Sequence, residues 1–413
     1  MRRIWRALAE WGAQFRADLR NSTDASLLTV ARFFGLLYGP IETRLPIDQA
    51  LRKALDYRLA PHAGWRNALG GIAYLLFLLA IGSGVLLAVH YRPSVQEAHS
   101  SIQQIVSEVR FGWLIRDSHA WVANLLVVTV LVHMARVFFS VAYKPPRETN
   151  WLIGILLLFL VLCFGATGYL LPWDQGAYWT VTEALDVVAG FPIVGGVAVG
   201  LLRGDSIVSG ATLSRFFAAH VIVLPWIALA LLGLHFAMVR RHGVAPPPRP
   251  DAAAPERPGR RFFPNHLLRS FMVAVVVCAG VITAALFWPR PVGDPANPAA
   301  LPETIGATWV VVDVSRALMH YLGSWGFAGF TLLGLGLALV PLFDRNPTRE
   351  IRRRPVVAGL GLLFFLGFLA AWVAGRGLRG APPVSMQERA QPQAAPTPVQ
   401  PGPGVGRPGG AAG

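Results

Sequence analysis

Four histidines form two pairs inside two apolar stretches of the chain. His119 and His133 are 14 residues apart, His220 and His235 are 15 apart, and no Asp, Glu, Lys or Arg lies within either interval. An α-helix rises about 1.5 Å per residue, so each interval spans roughly 21 Å of a hydrocarbon core about 30 Å thick. Two such helices side by side would pair His119 with His220 near one membrane face and His133 with His235 near the other.

This arrangement predicts two haem sites. A haem iron with two axial histidines has no open position, so it suits electron transfer rather than oxygen binding. A single buried histidine is more often a hydrogen-bonded core residue than a ligand, but ionisable residues in membrane helices are rare and tend to be functional. Two matched pairs favour two non-covalent b-type haems with His119, His220, His133 and His235 as iron ligands. The chain contains no Cys-x-x-Cys-His motif for covalent haem attachment.

Four glycines repeat at the spacing of the first histidine pair. Gly70 and Gly84 are 14 residues apart, as are Gly154 and Gly168. Glycine removes side-chain bulk where a flat group must approach, although membrane helices also use it for helix–helix contact. The shared spacing predicts smooth patches facing two macrocycles, with the first and third spans completing a four-helix bundle.

The composition indicates a membrane protein, since 54% of the residues are hydrophobic and only 14% are charged. Seven stretches of spanning length lack Asp, Glu, Lys and Arg: 69–90, 119–135, 151–173, 216–239, 271–289, 321–343 and 356–374. Helices satisfy their own backbone groups in lipid. We therefore predict an all-α, polytopic membrane protein with a four-helix di-haem transmembrane bundle and about three further transmembrane helices.

The net charge of +15 is explained by membrane topology. Basic residues concentrate at the amino terminus and in the loops after the second, fourth and sixth predicted spans. The positive-inside rule then places the amino terminus in the cytoplasm and the carboxyl terminus outside, with His119 and His220 toward the outer face. This distribution argues against a nucleic-acid partner. We expect a multi-pass protein of a bacterial cytoplasmic (inner) membrane.

The chain divides into five predicted segments. Residues 1–60 place apolar side chains at helical spacing among arginines, which suits cytoplasmic interfacial helices or equally a helix that packs on a partner. The di-haem four-helix domain is predicted over 61–242 and a three-helix domain over 262–376. A Pro-rich linker over 243–261 separates them, and a disordered tail is predicted over 377–413.

The second histidine pair has one residue more than the first. On an ideal helix that residue would rotate His235 by about 100° relative to His220. Pro225 lies between them and lacks a backbone N–H, which permits a local bend. We hypothesise that this distortion returns His235 to the haem-facing side.

Several long motifs between Trp65 and Val244 resemble those of one known family. They include GWLIRDSHAW, KPPRETNW, GATGYLLPWDQ and LLRGDSIVSGATLSRFFAAH. In these motifs the chain resembles cytochrome b of the Rieske–cytochrome bc complexes, and most of all the plastoquinol-type branch of chloroplasts and many bacteria. The second half resembles the small companion subunit of that branch through RFFPNHLLRS and DPANP, so the two pieces would be fused here.

The resemblance implies a subunit of a quinol–cytochrome c oxidoreductase, an electron-transferring translocase. Quinol would be oxidised near the outer face, with one electron passing to a Rieske iron–sulfur protein and one through both haems. It also implies a homodimeric complex in lipid with Rieske and cytochrome c subunits.

The resemblance further implies roles for individual residues. Arg116, Arg136 and Arg215 would pair with haem propionates, which need bidentate cations when buried, although each could instead anchor a helix end. The quinol site would be lined by the loop carrying Pro172, Trp173, Asp174, Gln175 and Tyr178, whose aromatic members could also be interfacial anchors.

Two departures from the family pattern concern chemistry. The family's Pro-Glu-Trp-Tyr before the sixth span reads Ala-Thr-Trp-Val at 307–310, so the glutamate thought to accept a quinol proton is missing. Glu303 and Asp313 lie nearby and are candidate replacements. Ala68 stands where the plastoquinol-type branch carries a cysteine for an extra haem, so we predict no covalent c-type haem in this chain.

The altered glutamate motif keeps a second function open. The chain would then be the cytochrome b subunit of a different membrane quinone oxidoreductase, quinone-reducing and partnered by multi-haem cytochrome c, without Rieske-type bifurcation. A third interpretation is a non-redox transporter or membrane scaffold, which would lack b-type haem bands in its absorbance spectrum.

Overall fold

The computed structural model describes residues 58–59, 68–189, 195–246, 260–261, 267–301 and 310–378. The predicted interfacial helices, most of the predicted linker, Glu303 and the predicted disordered tail from residue 379 onward lie outside the described residues. One two-stranded antiparallel sheet is described, in which β1 (Arg58–Leu59) pairs with β2 (Arg260–Arg261). By contacts the chain divides into two units, residues 1–71 with 243–278 and residues 72–242 with 279–413.

Helices form nearly all of the described structure. In chain order they are α1 Leu69–Ala88, α2 Ala98–Ser107, α3 Gly112–Phe139, α4 Glu148–Leu170, α5 Gln175–Ala189, α6 Gly195–Arg203, α7 Gly210–Ala218, α8 Leu224–His242, α9 Leu267–Phe287, α10 Val310–Ala338, α11 Val340–Phe343 and α12 Pro355–Gly377. A π-helical turn, Ala219–Val223, joins α7 to α8, and a 3₁₀ turn, Ile351–Arg353, precedes α12. The predicted all-α fold is confirmed.

Six helical segments of the described chain are long and apolar enough to cross a membrane: Leu69–Ala88, Gly112–Phe139, Glu148–Leu170, Gly210–His242, Leu268–Phe287 and Pro355–Gly377. Each contains or closely matches one predicted stretch. Their apolar side chains face outward: in α1, for example, Val85 is 61% exposed and only Leu76 and Phe77 are buried. So much exposed apolar surface fits a lipid environment, because apolar side chains in contact with lipid avoid the free-energy cost of contact with water.

The predicted stretch 321–343 differs from the structure. Most of it falls in α10, which starts earlier, at Val310, and ends at Ala338. Its last residues belong to the short helix α11, Val340–Phe343. Gly323 interrupts the helix with φ 65°, a left-handed backbone conformation that glycine adopts without steric cost. The uninterrupted apolar helix after it is therefore shorter, Ala328–Ala338.

Helix α4 has a central position in the larger unit, where it contacts α3, α5, α7, α8 and α10. One buried cluster surrounds Trp173, Tyr178 and Trp179 at the end of α4 and the start of α5. Another surrounds Phe138 and Trp151, at the opposite ends of α3 and α4. The segments between these two clusters carry the four histidines.

A buried ion cluster ties the α3–α4 connection to the start of α12. The carboxylate of Asp344 accepts hydrogen bonds from Tyr143 Oη at 2.8 Å and from the Arg354 guanidinium, and it lies 3.1 Å from Lys144 Nζ. Burial alone would raise the pKa of Asp344, but the hydrogen bonds from Arg354, Tyr143 and Lys144 outweigh it and hold the pKa below its ordinary value. Asp344 is therefore a charged anchor for three donors.

Candidate functional site

His119 on α3 and His220 in the π-helical turn face each other. Their ring centroids are 6.3 Å apart, with the ring planes inclined at 71°. Imidazole–metal bonds are about 2 Å long, so the ligating nitrogens of two opposed histidines lie about 4 Å apart and their ring centres somewhat further. The observed separation therefore fits one metal ion between the two rings.

Each of these histidines contacts a hydroxyl group on a neighbouring helix. His119 Nδ1 lies 2.9 Å from Ser83 Oγ of α1, and His220 Nδ1 lies 3.1 Å from Thr167 Oγ1 of α4. Both hydroxyls also contact the carbonyl four residues earlier in their own helix, at 2.6 Å for Ser83 and 2.7 Å for Thr167.

Three of the four predicted glycines lie against three of the four histidines. A Cβ on Gly84 would be 3.3 Å from His119 Cε1, one on Gly168 would be 2.5 Å from His220 Cε1, and one on Gly154 would be 3.9 Å from His235 Cε1. The fourth, Gly70, lies in the first turn of α1. These three glycines leave room for the imidazole rings, and the predicted contact of the glycines with macrocycles stays a prediction.

The second pair, His133 and His235, lies 14 and 15 residues further along the same two helical segments. His133 on α3 and His235 on α8 are within range of electrostatic interaction. His235 Nδ1 is buried, with no hydrogen-bond partner among the residues that the structure describes. A buried imidazole nitrogen without a partner is costly in a folded protein, and a ligand at this pair would orient the ring that carries it. The residues present fit the predicted cofactor.

The π-helical turn accommodates the extra residue of the second pair. Leu224 donates its N–H to Ala219, five residues earlier, so this turn contains one residue more than an α-helical turn. Pro225 follows directly and cannot donate the next backbone bond. The distortion predicted from Pro225 is therefore present as a π-turn beginning one residue before His220.

Two of the three predicted propionate partners, Arg116 and Arg215, contact backbone carbonyls in the structure. Arg116 donates to the carbonyls of Arg290 and Pro291 and pairs with Asp117 at 3.0 Å. Arg215 donates to the last carbonyls of α6, those of Gly200 at 3.0 Å and Leu201 at 2.6 Å. Arg136 lies in the last turn of α3. The propionate roles stay predictions, and the observed contacts match the alternative of anchored helix ends for Arg116 and Arg215.

The predicted quinol loop is paired with the segment 293–300. Trp173 accepts the N–H of Ala296 at 3.1 Å, and Gln175 exchanges hydrogen bonds with Asn297. Asp174 Oδ1 accepts the Ala177 N–H at 2.8 Å and so caps α5. Pro172 lies directly before Trp173 in the same loop. Trp173 and Tyr178 are buried in the cluster described above, and burial raises the pKa of Tyr178 although nearby Arg203 lowers it.

Helix α10 brings one candidate carboxylate to the same region. Asp313 lies in its first turn and is fully buried, and Gly375 of α12 packs against its backbone. The neighbouring Val312 contacts Ala166 and Tyr169 at the end of α4. The structure thus places the turn that carries Asp313 beside the end of α4, and the next helix along the chain, α5, carries Tyr178.

Sequence reasoning missed three residues of this region. Glu183 of α5 pairs with Arg316 of α10 at 3.3 Å, and both side chains are largely buried. Ser83 and Thr167 contact the histidines, and each directly precedes a predicted glycine, Gly84 or Gly168. That position beside the glycines was a signal available in the sequence, whereas Glu183 had none before the helices were placed.

The fold and the site define a class of protein: a polytopic helical membrane protein in which His119 faces His220 and a second pair, His133 and His235, lies on the same two helical segments. A family model described as cytochrome b/b6/petB matches residues 55–243. Cytochrome b6 of Gracilaria tenuistipitata var. liui is 40% identical over 213 residues, which cover 52% of this chain and 99% of the relative. Cytochrome b6 of Synechococcus sp. strain JA-3-3Ab is 39% identical over 211 residues, covering 51% and 98%.

A solved structure gives the same assignment over more of the chain. A chain of a hyperthermophilic respiratory complex III superposes with a TM-score of 0.72 at 29% identity, over 85% of this chain and 93% of that one. The chain belongs to the cytochrome b/b6 family. It is accordingly a multi-pass membrane subunit of an electron-transfer complex, and the family implies binding of b-type haem.

Proposed function

We propose that the chain is the di-haem cytochrome b subunit of a bc-type quinol:cytochrome c oxidoreductase. The observation that carries this proposal is the facing pair His119 and His220, 6.3 Å apart and flanked by Gly84 and Gly168. The fit to a complex III chain over 85% of this sequence supports the same type of complex.

Four histidines would hold two haems, His119 with His220 and His133 with His235. The bound haems supply one-electron carriers stacked across the membrane. The apolar, outward-facing helices keep water from the histidine region, and the glycines leave room for the imidazoles. Arg116, Arg136 and Arg215 are the proposed propionate partners, since a guanidinium carries five N–H donors.

Quinol would bind where α5 meets the start of α10. Pro172, Trp173, Asp174, Gln175 and Tyr178 are the proposed lining, and the pairing of Gln175 with Asn297 would hold that lining in place. Asp313 and Glu303 are the proposed proton acceptors in place of the missing glutamate. The proposed topology puts this site near the outer face, the amino terminus in the cytoplasm and the carboxyl terminus outside.

The proposed partners are a Rieske iron–sulfur protein and a cytochrome c subunit, in a homodimeric complex of a bacterial cytoplasmic membrane. The first experiment measures haem content and quinol-to-cytochrome c turnover in the purified complex. We expect two b-type haems per chain and co-purification of an iron–sulfur protein. Multi-haem cytochrome c partners with quinone reduction would establish the alternative oxidoreductase, and absence of b-type bands would overturn both.

Two variants test the proposed proton acceptors. Glu303→Gln and Asp313→Asn each remove one carboxylate while preserving shape. Loss of turnover in one of them, with haem spectra intact, identifies the acceptor, because a positioned acid–base group contributes about 10²–10⁴-fold in rate. Unchanged turnover in both variants would show that neither carboxylate accepts the proton.

A further inference from the structure

Two hydroxyl groups have the same relation to the His119–His220 pair. Ser83 lies beside His119 and Thr167 beside His220, with oxygen to Nδ1 distances of 2.9 Å and 3.1 Å. We infer that Ser83 and Thr167 are positioning residues that set the tautomer and the donor strength of the two iron ligands. This inference rests on the proposed function only in taking the bound metal to be haem iron.

The number of protons decides the direction of each hydrogen bond. A hydroxyl has one proton, and the Ser83 oxygen lies 2.6 Å from the Leu79 carbonyl while the Thr167 oxygen lies 2.7 Å from the Cys163 carbonyl. Two oxygens at that separation must share a proton, so each hydroxyl donates to its own helix. Its contact with the histidine is then made by an Nδ1–H donating to the hydroxyl oxygen.

This direction determines which nitrogen binds the iron. A neutral imidazole carries one N–H, so a protonated Nδ1 leaves Nε2 with a free lone pair. Donation from Nδ1–H to an acceptor also makes the ring a stronger electron donor, as second-shell partners of metal-bound histidines generally do. A stronger donor stabilises ferric over ferrous iron. Ser83 and Thr167 thus lower the reduction potential of the haem that His119 and His220 hold.

The other pair lacks this feature in the sequence. Leu69 precedes Gly70 and Ile153 precedes Gly154, where Ser83 precedes Gly84 and Thr167 precedes Gly168. His235 Nδ1 accordingly has no hydrogen-bond partner among the described residues. The hydroxyls therefore distinguish the two haems, and their removal should move one redox step and leave the other in place.

The test is a redox titration of the haems in the purified complex. Ser83→Ala and Thr167→Val each remove one acceptor, and we expect both to raise the potential of the same haem. A tenfold loss in preference for ferric iron would correspond to about 59 mV for a one-electron couple. Ser83→Thr and Thr167→Ser keep a hydroxyl and should keep the original potential.

Thr182→Val is the matched control. Its hydroxyl also donates to the carbonyl four residues earlier, that of Tyr178 at 2.9 Å, and no histidine of the described part of the chain is a hydrogen-bond partner of Thr182. We expect both haem potentials to stay unchanged in this variant. Loss of one haem in Ser83→Ala with retention in Ser83→Thr would also support the inference.

Two results would overturn the inference. One is a pair of unchanged potentials in Ser83→Ala and Thr167→Val with both haems loaded, and the other is a shift of different haems by the two variants. Failure of the proposed function looks different, because the unsubstituted complex would then contain no b-type haem or would not oxidise quinol.

Discussion

Gly168 occupies a position where a side chain would displace His220, one of the proposed iron ligands. A Cβ there would lie 2.5 Å from Cε1 and 3.0 Å from Nδ1 of His220. Gly168→Ala should therefore displace the His220 ring from its present position and disturb its hydrogen bond to Thr167. We expect the haem content to fall from two to one per chain, measured from the absorbance of the extracted haem against protein concentration.

Gly82→Ala is the control for that substitution. Gly82 also lies in a membrane helix, but a Cβ there would meet nothing within 4 Å. Alanine is favoured over glycine in a helix by about 1 kcal/mol. This variant should therefore keep both haems and be at least as stable as the unsubstituted protein. Two haems per chain in Gly168→Ala would show that the glycine is not needed for the His220 site.

Glu183 tests the quinol region at the same scale. It lies on α5 after Tyr178 and pairs with Arg316 of α10, and Nη1 of Arg316 is buried without a hydrogen-bond partner among the described residues. If quinol binds between these helices, Glu183→Gln should lower quinol turnover by about tenfold or more, since it weakens both the charge pair and any proton transfer. Steady-state turnover with haem spectra as a folding check measures this.

Asp186→Asn is the matched control on the same helix. Asp186 is one turn beyond Glu183 and pairs with Arg203 of α6 at 3.0 Å. Its loss should change turnover little, because its partner Arg203 lies on α6 and not on α10, the helix that borders the proposed quinol site. Equal turnover in both variants and in the unsubstituted complex would limit Glu183 to a structural role.

At the scale of elements, the π-turn before Pro225 sets the relation between His220 and His235. Pro225→Ala restores a backbone N–H that can bond four residues back, which would allow the π-turn to become α-helical. His235 would then rotate relative to His220 by up to about 100°. We expect an altered spectrum and potential for the His133–His235 haem and little change in the other.

Gly233→Ala is a substitution in the same helix that leaves the π-turn untouched. A Cβ at Gly233 meets nothing within 4 Å, so both haems should keep their spectra. Identical spectra and potentials of the His133–His235 haem in Pro225→Ala and the unsubstituted complex would contradict the role proposed for the π-turn.

Periodicity predicted the helices because it depends on local geometry, and the matched spacing predicted that His119 and His220 lie side by side. A proline indicates that a helix can be distorted, but it does not distinguish a bend from a π-turn, so that feature needed the structure. The Gly323 interruption in α10 was likewise missed, since glycine is also common in straight membrane helices. The carbonyl contacts of Arg116 and Arg215 depend on how the segment after α9 and helix α6 pack, which no periodicity predicts.

At the scale of the whole molecule, two parts of the chain are held together within the larger unit. Helices α3 and α4 contact α10 and α12 through the cluster around Phe138 and Trp151. Trp151 Nε1 also donates to the Ala338 carbonyl at 2.8 Å. The fused C-terminal helices thus pack on the cytochrome b part, which agrees with a structural match that extends over 85% of the chain.

The Asp344 cluster is the ionic part of this junction. Asp344→Asn leaves the buried Arg354 guanidinium and Lys144 without their carboxylate, and loss of one partner in a buried pair costs about 3–5 kcal/mol. We expect a lower melting temperature in detergent, measured by circular dichroism, with haem spectra unchanged below the transition. Glu350→Gln removes a partner of the exposed Arg353 and should have little effect.

The same cluster predicts a pH dependence. The folded-state pKa of Asp344 lies below its ordinary value of 3.8, so its stabilisation is fully present above that pH and is lost as the pH falls through the folded-state pKa. The difference in melting temperature between Asp344→Asn and the unsubstituted protein should therefore be constant from about pH 5 to neutrality, because the carboxylate is ionised in both the folded and the unfolded state over that range. It should narrow as the medium is acidified below the ordinary pKa. A difference that grows on acidification would mean that Asp344 binds a proton more readily in the folded protein, and the cluster would then oppose folding rather than stabilise the junction.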